Sequence, residues 1–423
     1  DDHPISFVYS AALSAKDVQI RQPSTLPEQL KLDRSSELQC TTCHNPHDNQ
    51  YSNFLVMSNY RSGMCVSCHD LYGWTTSSHE SSTASVLGSS DSYLQNSDYV
   101  TVADNGCLSC HRPHSAGGNE RLLHFVKSED NCLNCHDGSV AQTNLENDLA
   151  KLSRHDVVSY QAVHDLKESP TTSPRHVECV DCHNPHAIQD TAAQAPAAPG
   201  VMRGVTGVTA SGGDTQKAQY EYEVCFKCHG DNPNRIESTI TRQITQTNTR
   251  LEFDPSGPSF HPVVSPGVNQ NVPSLKSPMT VATMVYCTDC HNSDSASGTK
   301  GPHGSNYSPL LAYRYETADY TQESELAYEL CYNCHSRNSI LNNESFPDHR
   351  NHINRAPCSA CHDAHGISSA QGTTTNNSHL INFDTSIVSA DTMSGRLEFE
   401  DLGVFKGRCY LRCHMRRHSP KSY

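Results

Sequence analysis

The sequence predicts a chain that is mostly coil, with short helices and few strands, built as five repeated modules. Pro occurs 22 times and Gly 23 times, which interrupts helical and strand patterns along the whole chain. Hydrophobic residues make up only 35% of the 423 residues, so few large aliphatic side chains remain to form the cores expected at this length. Bound groups must therefore supply much of the apolar interior.

The cysteines follow a single pattern. Nine pairs have the form Cys-x-x-Cys-His and the tenth has the form Cys-x-x-x-Cys-His, which together use all 20 cysteines. This is the signature of covalent haem c attachment, with two thioethers on one porphyrin edge and the adjacent histidine under the iron. Disulfides would not require a histidine after every second cysteine, and zinc sites would require paired Cys-x-x-Cys units or histidine pairs.

We therefore expect ten covalently attached haem c groups. The predicted attachment residues are Cys40 and Cys43, Cys65 and Cys68, Cys107 and Cys110, Cys132 and Cys135, Cys179 and Cys182, Cys225 and Cys228, Cys287 and Cys290, Cys331 and Cys334, Cys358 and Cys361, and Cys409 and Cys413. The predicted proximal ligands are His44, His69, His111, His136, His183, His229, His291, His335, His362 and His414.

The ten motifs form five double units, which we take as dihaem modules with a continuous stack of haems as their interior. The predicted modules are residues 1–78, 79–154, 155–260, 261–347 and 348–423. In each module a second histidine, usually preceded by proline, follows the first motif: His47, His114, His186, His303 and His365. Four of these lie about one helical turn from their own proximal histidine, and an insert places His303 further along; we assign each of the five to the second haem of its module.

The first haem of each module then needs a histidine from upstream. One stands before every pair of motifs: His3, His79, His155, His261, and either His349 or His352. Five upstream and five downstream histidines close the count at bis-histidine ligation of every haem, which favours low potentials. His176 could replace His155, and His418 could serve a haem in a neighbouring subunit.

Few regular elements are expected beyond short helices at the attachment motifs. Glu323–Leu330 is a short helix candidate, and Tyr99–Val102 is a short strand candidate.

The charge of the chain restricts its partners. The 46 Asp and Glu outnumber the 31 Lys and Arg, which gives a formal charge of -15 before haem propionates are added. Such a chain is poorly suited to nucleic acid or anionic membranes, and suits cationic partners or mineral surfaces. No apolar run reaches the length of a membrane helix. The first residue is not cysteine, and we expect a mature, exported protein without a lipid anchor.

Several phrases indicate a family. They are the Cys-His-x-Pro-His phrase, the segment from Gly73-Trp74 to His79, the segment His379–Asp384, and the ending from Cys409 to Tyr423. With them the chain resembles the multihaem cytochromes built on doubled CxxCH motifs, found in bacteria that respire extracellular metals. The resemblance implies an extracellular or cell-surface electron carrier, with a periplasmic location as the alternative. Some similar proteins form filaments, which implies copies of the chain, other cytochromes, and metal oxides or electrodes as partners.

Three functions compete at this point: a polymerising electron conduit, a discrete periplasmic or outer-surface carrier or metal reductase, and a multihaem oxidoreductase. An oxidoreductase needs an iron with an open position, which a Cys-x-x-Cys-Lys motif would have indicated, and the sequence has none. We expect an electron carrier and no catalytic residue.

Overall fold

The computed structural model describes residues 2–118, 121–159, 177–232, 238–296 and 298–423. Within these ranges the chain is mostly coil and turn, with short helices and a few small sheets, as the sequence predicts. The α-helices are α1 Ala11–Lys16, α2 Cys40–Cys43, α3 Ser78–Ser81, α4 Ser92–Gln95, α5 Val102–Asn105, α6 Asp130–His136, α7 Leu145–Leu149, α8 Cys179–Cys182, α9 Glu221–His229, α10 Thr249–Glu252, α11 Glu329–Cys334, α12 Arg337–Leu341 and α13 His349–Ile353. The strands are β1 Phe7–Val8, β2 Glu37–Leu38, β3 Ser153–Arg154, β4 Gly207–Val208, β5 Asp214–Thr215, β6 Ser259–Phe260, β7 Gly304–Ser305, β8 Gly366–Ile367, β9 Val388–Ser389, β10 Glu398–Asp401, β11 Gly407–Cys413 and β12 Arg416–Ser422.

Short helical turns form at the attachment motifs, as predicted, with the tenth motif as the exception. Five of these motifs lie on α2, α6, α8, α9 and α11, and the other four form 3-10 helices at Cys65–Ser67, Gly106–Ser109, Cys287–Asp289 and Cys358–Ala360. At Cys40 the turn is closed because the backbone N–H of His44 donates to the Cys40 carbonyl at 3.0 Å. This turn brings both cysteines and the following histidine to one side of the backbone.

The predicted strand at Tyr99–Val102 is wrong. Thr101 makes only an isolated bridge to Ser85, and helix α5 begins at the next residue. The cause is local, because the Thr101 hydroxyl accepts the backbone N–H of Asp104 at 3.1 Å and so caps the helix.

The predicted helix at Glu323–Leu330 is also wrong in its extent. Helix α11 begins only at Glu329 and runs into the attachment motif. The Glu323 side chain binds elsewhere, with Arg337 at 2.6 Å and the Tyr332 hydroxyl at 2.9 Å, so this stretch forms turns instead.

Two small antiparallel pairs join segments that are far apart in sequence. Strand β3 pairs with β7, and β6 pairs with β8. In both cases the first strand ends just before an upstream histidine, His155 or His261. The second strand begins just after a downstream histidine, His303 or His365. These pairs therefore hold the two kinds of candidate ligand side by side.

The largest sheet is at the C-terminal end. Strand β11 pairs with β10, β12 and β9, all antiparallel. Its buried face packs on a cluster that contains Phe383, Phe399 and Leu411. This cluster and the other buried apolar clusters of the described residues are small and separate, and several border attachment cysteines. In the described part of the chain, no helix is both long and apolar enough to cross a membrane.

Candidate haem attachment sites

All 20 cysteines are free thiols, and they lie side by side in chain order. Inside each predicted module, a thiol of the first motif lies close enough to interact electrostatically with a thiol of the second motif. The pairs are Cys43 with Cys68, Cys110 with Cys135, Cys182 with Cys228, Cys290 with Cys334, and Cys361 with Cys413. Between consecutive modules, the interacting thiols belong to the first cysteine of each motif: Cys65 with Cys107, Cys132 with Cys179, Cys225 with Cys287, and Cys331 with Cys358. The attachment sites therefore follow one another from the first to the tenth.

Histidine rings face each other beside these cysteines. Nine pairs have ring centres 5.9 to 6.4 Å apart: His44–His114, His69–His3, His111–His186, His136–His79, His183–His303, His229–His155, His291–His365, His362–His349 and His418–His352. Two imidazoles that share one metal across bonds of about 2.0 Å have ring centres about 6 Å apart. The spacing therefore fits an iron between the rings. The His335 ring also lies close enough to His261 for the two imidazoles to interact electrostatically.

Backbone carbonyls fix the orientation of many of these rings. The Nδ1 atom of His44 lies 2.9 Å from the Asn53 carbonyl, and that of His183 lies 2.8 Å from the Val201 carbonyl. The same contact occurs at His111, His291, His362, His79, His155, His261 and His352. A ring that donates from Nδ1 leaves the Nε2 lone pair free for a metal, as ligating histidines commonly do.

Burial keeps several of the paired rings neutral. It lowers the pKa of His136, His303, His335 and His362 to about 4 in each case, with neighbouring histidines adding to the effect. The neutral imidazole is the form that binds iron. The residues present therefore fit haem c with two axial histidines at these sites.

The predicted pairing is wrong for most of the ligands. In the first four modules each upstream histidine lies beside the second proximal histidine of its module, as His79 faces His136, whereas in the fifth module His349 faces the first, His362, as expected. Each downstream histidine from His114 onward faces the first proximal histidine of the preceding module, as His186 faces His111. Backbone contacts cause the exchange. For example, His79 Nδ1 lies 3.0 Å from the Pro185 carbonyl, which brings the phrase of one module to the upstream histidine of the module before.

The structure also gives a partner to most of the histidines whose role the sequence left open. His155 faces His229, and His176 lies outside the described residues. His349 and His352 both face histidines, namely His362 and His418, so the structure uses both of them. His3 faces His69 of its own chain, and His418 likewise has a partner in its own chain.

Two predicted ligands are not brought to another histidine within the described residues. His47 is exposed, and no ring contact joins it to another histidine there. His414 departs from its predicted role as proximal ligand, because its Nε2 atom lies 2.8 Å from a carboxylate oxygen of Asp319.

Some of the groups that orient the histidine rings could not be identified from the sequence. Ser274 Oγ lies 2.9 Å from Nδ1 of His335, and a carboxylate oxygen of Glu252 lies 2.9 Å from Nδ1 of His365. Both contacts join residues that are far apart in sequence, and no local pattern marks them. The prolines before His186 and His303 are evident in the sequence, and their carbonyls accept hydrogen bonds from the Nδ1 atoms of His79 and His155, respectively.

Comparisons with known proteins agree with the motif. Residues 35–74, 100–141 and 278–339 match the family described as the doubled CXXCH motif. Searches of curated proteins and of solved structures gave no significant match. The doubled motifs, with free thiols and oriented histidines beside them, indicate covalently bound haem c and support a multihaem c-type cytochrome.

Proposed function

We propose that the protein is a decahaem cytochrome that conducts electrons over the length of its chain, outside the cell. The observation that carries this proposal is the unbroken succession of attachment sites, each next to the following one. Bound haem c supplies one-electron chemistry at each site. A conduit needs these groups close together and in order, and the succession of neighbouring cysteine thiols supports such an arrangement.

The histidine pairs support a carrier rather than an oxidoreductase. With an imidazole on each side, a site has no open position for a substrate. The ring at His111 and the ring at His186 are nearly parallel, at 18°, and the Arg121 carbonyl fixes the first of them. Fixed ligands change little when an electron arrives, which suits rapid transfer.

Ten haems and six-coordinate iron are tested together. The intact mass of the mature holoprotein should show ten covalent additions, and electron paramagnetic resonance should show low-spin iron throughout. Nine additions would remove the tenth site from the conduit. A high-spin population in the native protein would instead favour the oxidoreductase.

We further propose that copies join into a filament, with His47 at the junction. Each later downstream histidine binds in the preceding module, whereas His47 has no preceding module in its own chain and remains exposed. A preceding copy of the chain would supply a surface on which the exposed His47 ring packs, not a further iron site, because His362 of its last module already faces His349. A head-to-tail contact of this kind propagates unless its rotation closes a ring.

A discrete carrier is the second candidate, because His3 and His418, the histidines nearest the two ends, both face histidines of their own chain. Electron micrographs of native protein and of H47Q distinguish the two. The filament proposal expects native filaments and particles of single H47Q chains with an unchanged spectrum. Single particles of the native protein at high concentration would leave the discrete carrier.

A further inference from the structure

The tenth attachment site differs from the other nine because it lies on a strand. The other nine motifs adopt helical turns, in which the histidine after the second cysteine turns back beside both thiols. Cys409 and Cys413 lie instead on β11. Side chains alternate along this strand, so that Leu411 is buried between the two part-buried cysteines, whereas Arg408 and Arg412 are exposed. A residue directly after Cys413 cannot share the cysteine face if the strand pattern continues.

His414 indeed leaves that face. It begins the two-residue turn between β11 and β12, and both turn residues have positive φ, 47° at His414 and 63° at Met415. The His414 ring packs on Tyr320, with ring centres 4.6 Å apart. Its Nε2 atom is within 2.8 and 3.1 Å of the two carboxylate oxygens of Asp319. The nitrogen that would bind iron is therefore held by a carboxylate.

His418 occupies the position that His414 lacks. In the hairpin it lies directly opposite Leu411, and opposite residues of an antiparallel pair project from the same face. It therefore shares a face with Cys409 and Cys413. Its ring faces His352 with centres 6.4 Å apart, the same spacing as at the His349–His362 pair.

We propose that His418, and not His414, is the iron ligand of the haem attached to Cys409 and Cys413, with His352 as the second ligand. The site is then a β-hairpin attachment site of the form Cys-x-x-x-Cys-x-x-x-x-His. His414 becomes an anchor that ties the hairpin turn to Asp319. This assignment rests on the proposal that the protein carries ten haems.

The experiment compares H418Q with H414Q in the full-length holoprotein. Both variants replace a histidine of the same hairpin by a side chain of similar size, so H414Q is the matched control. Intact mass first selects protein with ten haems, and electron paramagnetic resonance then counts high-spin iron. We expect H418Q to convert one haem of the ten to high spin and H414Q to convert none.

Double variants then test whether two histidines serve one iron. H352Q/H418Q should open the same single haem as either change alone, whereas H349Q/H418Q should open two. Should H418Q fold poorly, H418M keeps six ligands and should raise the reduction potential of one haem only.

Ten haems with H418Q low-spin and H414Q high-spin would overturn the ligand assignment alone. Two open haems in H352Q/H418Q would overturn it as well. A native mass with nine haems would overturn the ten-haem proposal itself, so the two failures are distinguishable.

Discussion

The histidines of this protein act at a distance from their place in the sequence. His186 stands beside the fifth motif but faces His111 of the third, and Trp74 lies edge-on to it with ring centres 6.4 Å apart. The position of nine of the histidines beside their cysteines follows from the sequence, because adjacency to a cysteine within one helical turn is a local constraint, whereas His414 lies on a hairpin turn. Their partners could not be predicted, because contacts such as His79 with the Pro185 carbonyl join residues 106 positions apart.

Replacing His186 tests this residue-scale finding. We expect H186Q to open one haem, at the Cys107 site and not at the Cys225 site, because His186 faces His111. Cyanide titration of the open iron should give one equivalent. H155Q/H186Q should open two haems, since His155 faces His229, whereas H111Q/H186Q should open both positions of a single haem, with the haems counted as high-spin iron by electron paramagnetic resonance.

The control is H47Q, which changes the same position of the repeated phrase but a ring that has no histidine partner in the described residues. It should bind no cyanide when the protein is monomeric. Two open haems in H111Q/H186Q would mean that His111 and His186 serve different irons, which is the pairing expected from the sequence.

At the scale of elements, the C-terminal hairpin shows what the sequence contained and what it hid. Arginine and tyrosine alternate with Cys409, Leu411 and Cys413, which is the period of a strand, yet the attachment motif was interpreted as a turn. The short pairs β3–β7 and β6–β8 had no such signal. Two-residue strands are specified by the partner they meet, so only the folded chain reveals them.

A buried ion network should hold helix α7 to the loop before β7. Lys151 Nζ lies 2.6 Å from a carboxylate oxygen of Asp148 and 2.6 Å from one of Asp294, and the three side chains are 15%, 3% and 11% exposed. K151M would leave the buried Asp148 and the part-buried Asp294 without a cation, so we expect the free energy of unfolding in urea at pH 7 to fall by about 3–5 kcal/mol. R314M removes an exposed pair with Glu316 and should cost less than about 1 kcal/mol.

The pH dependence provides an independent check. Burial raises the pKa of Asp148 and of Asp294, but the hydrogen bonds from Lys151 and other donors outweigh it and lower both. Their stabilisation is therefore complete above the unfolded carboxyl pKa of about 3.9 and is lost as pH falls through the lowered folded values. The difference between native protein and K151M should shrink below about pH 4. A difference that stays constant down to pH 3 would contradict this origin.

At the scale of the whole molecule, the formal charge of -15 is the property that acts on a partner at the longest range. Charge of one sign steers association and is screened within about 10 Å at 0.1 M salt and about 3 Å at 1 M. Uptake onto a positively charged iron oxide, followed on a quartz microbalance, should therefore fall steeply between low salt and 1 M salt.

Negatively charged silica is the matched surface for that measurement. Uptake there should be small at low salt and should not fall as salt is added, because added ions remove repulsion. Equal uptake on both surfaces at low salt would show that charge does not select the partner.

The exchange of ligands between neighbouring modules also bears on biogenesis. A chain that is exported from its N-terminus delivers the Cys40 motif long before His114, which faces His44. If haems were attached as the chain emerges, the first attachment site of each predicted module would lack its second histidine until the next module arrives. The site that lacks its second histidine would therefore shift along the nascent chain by one module at a time. This shift ends at the last module, where His349 faces His362 within the same module and no later segment is needed.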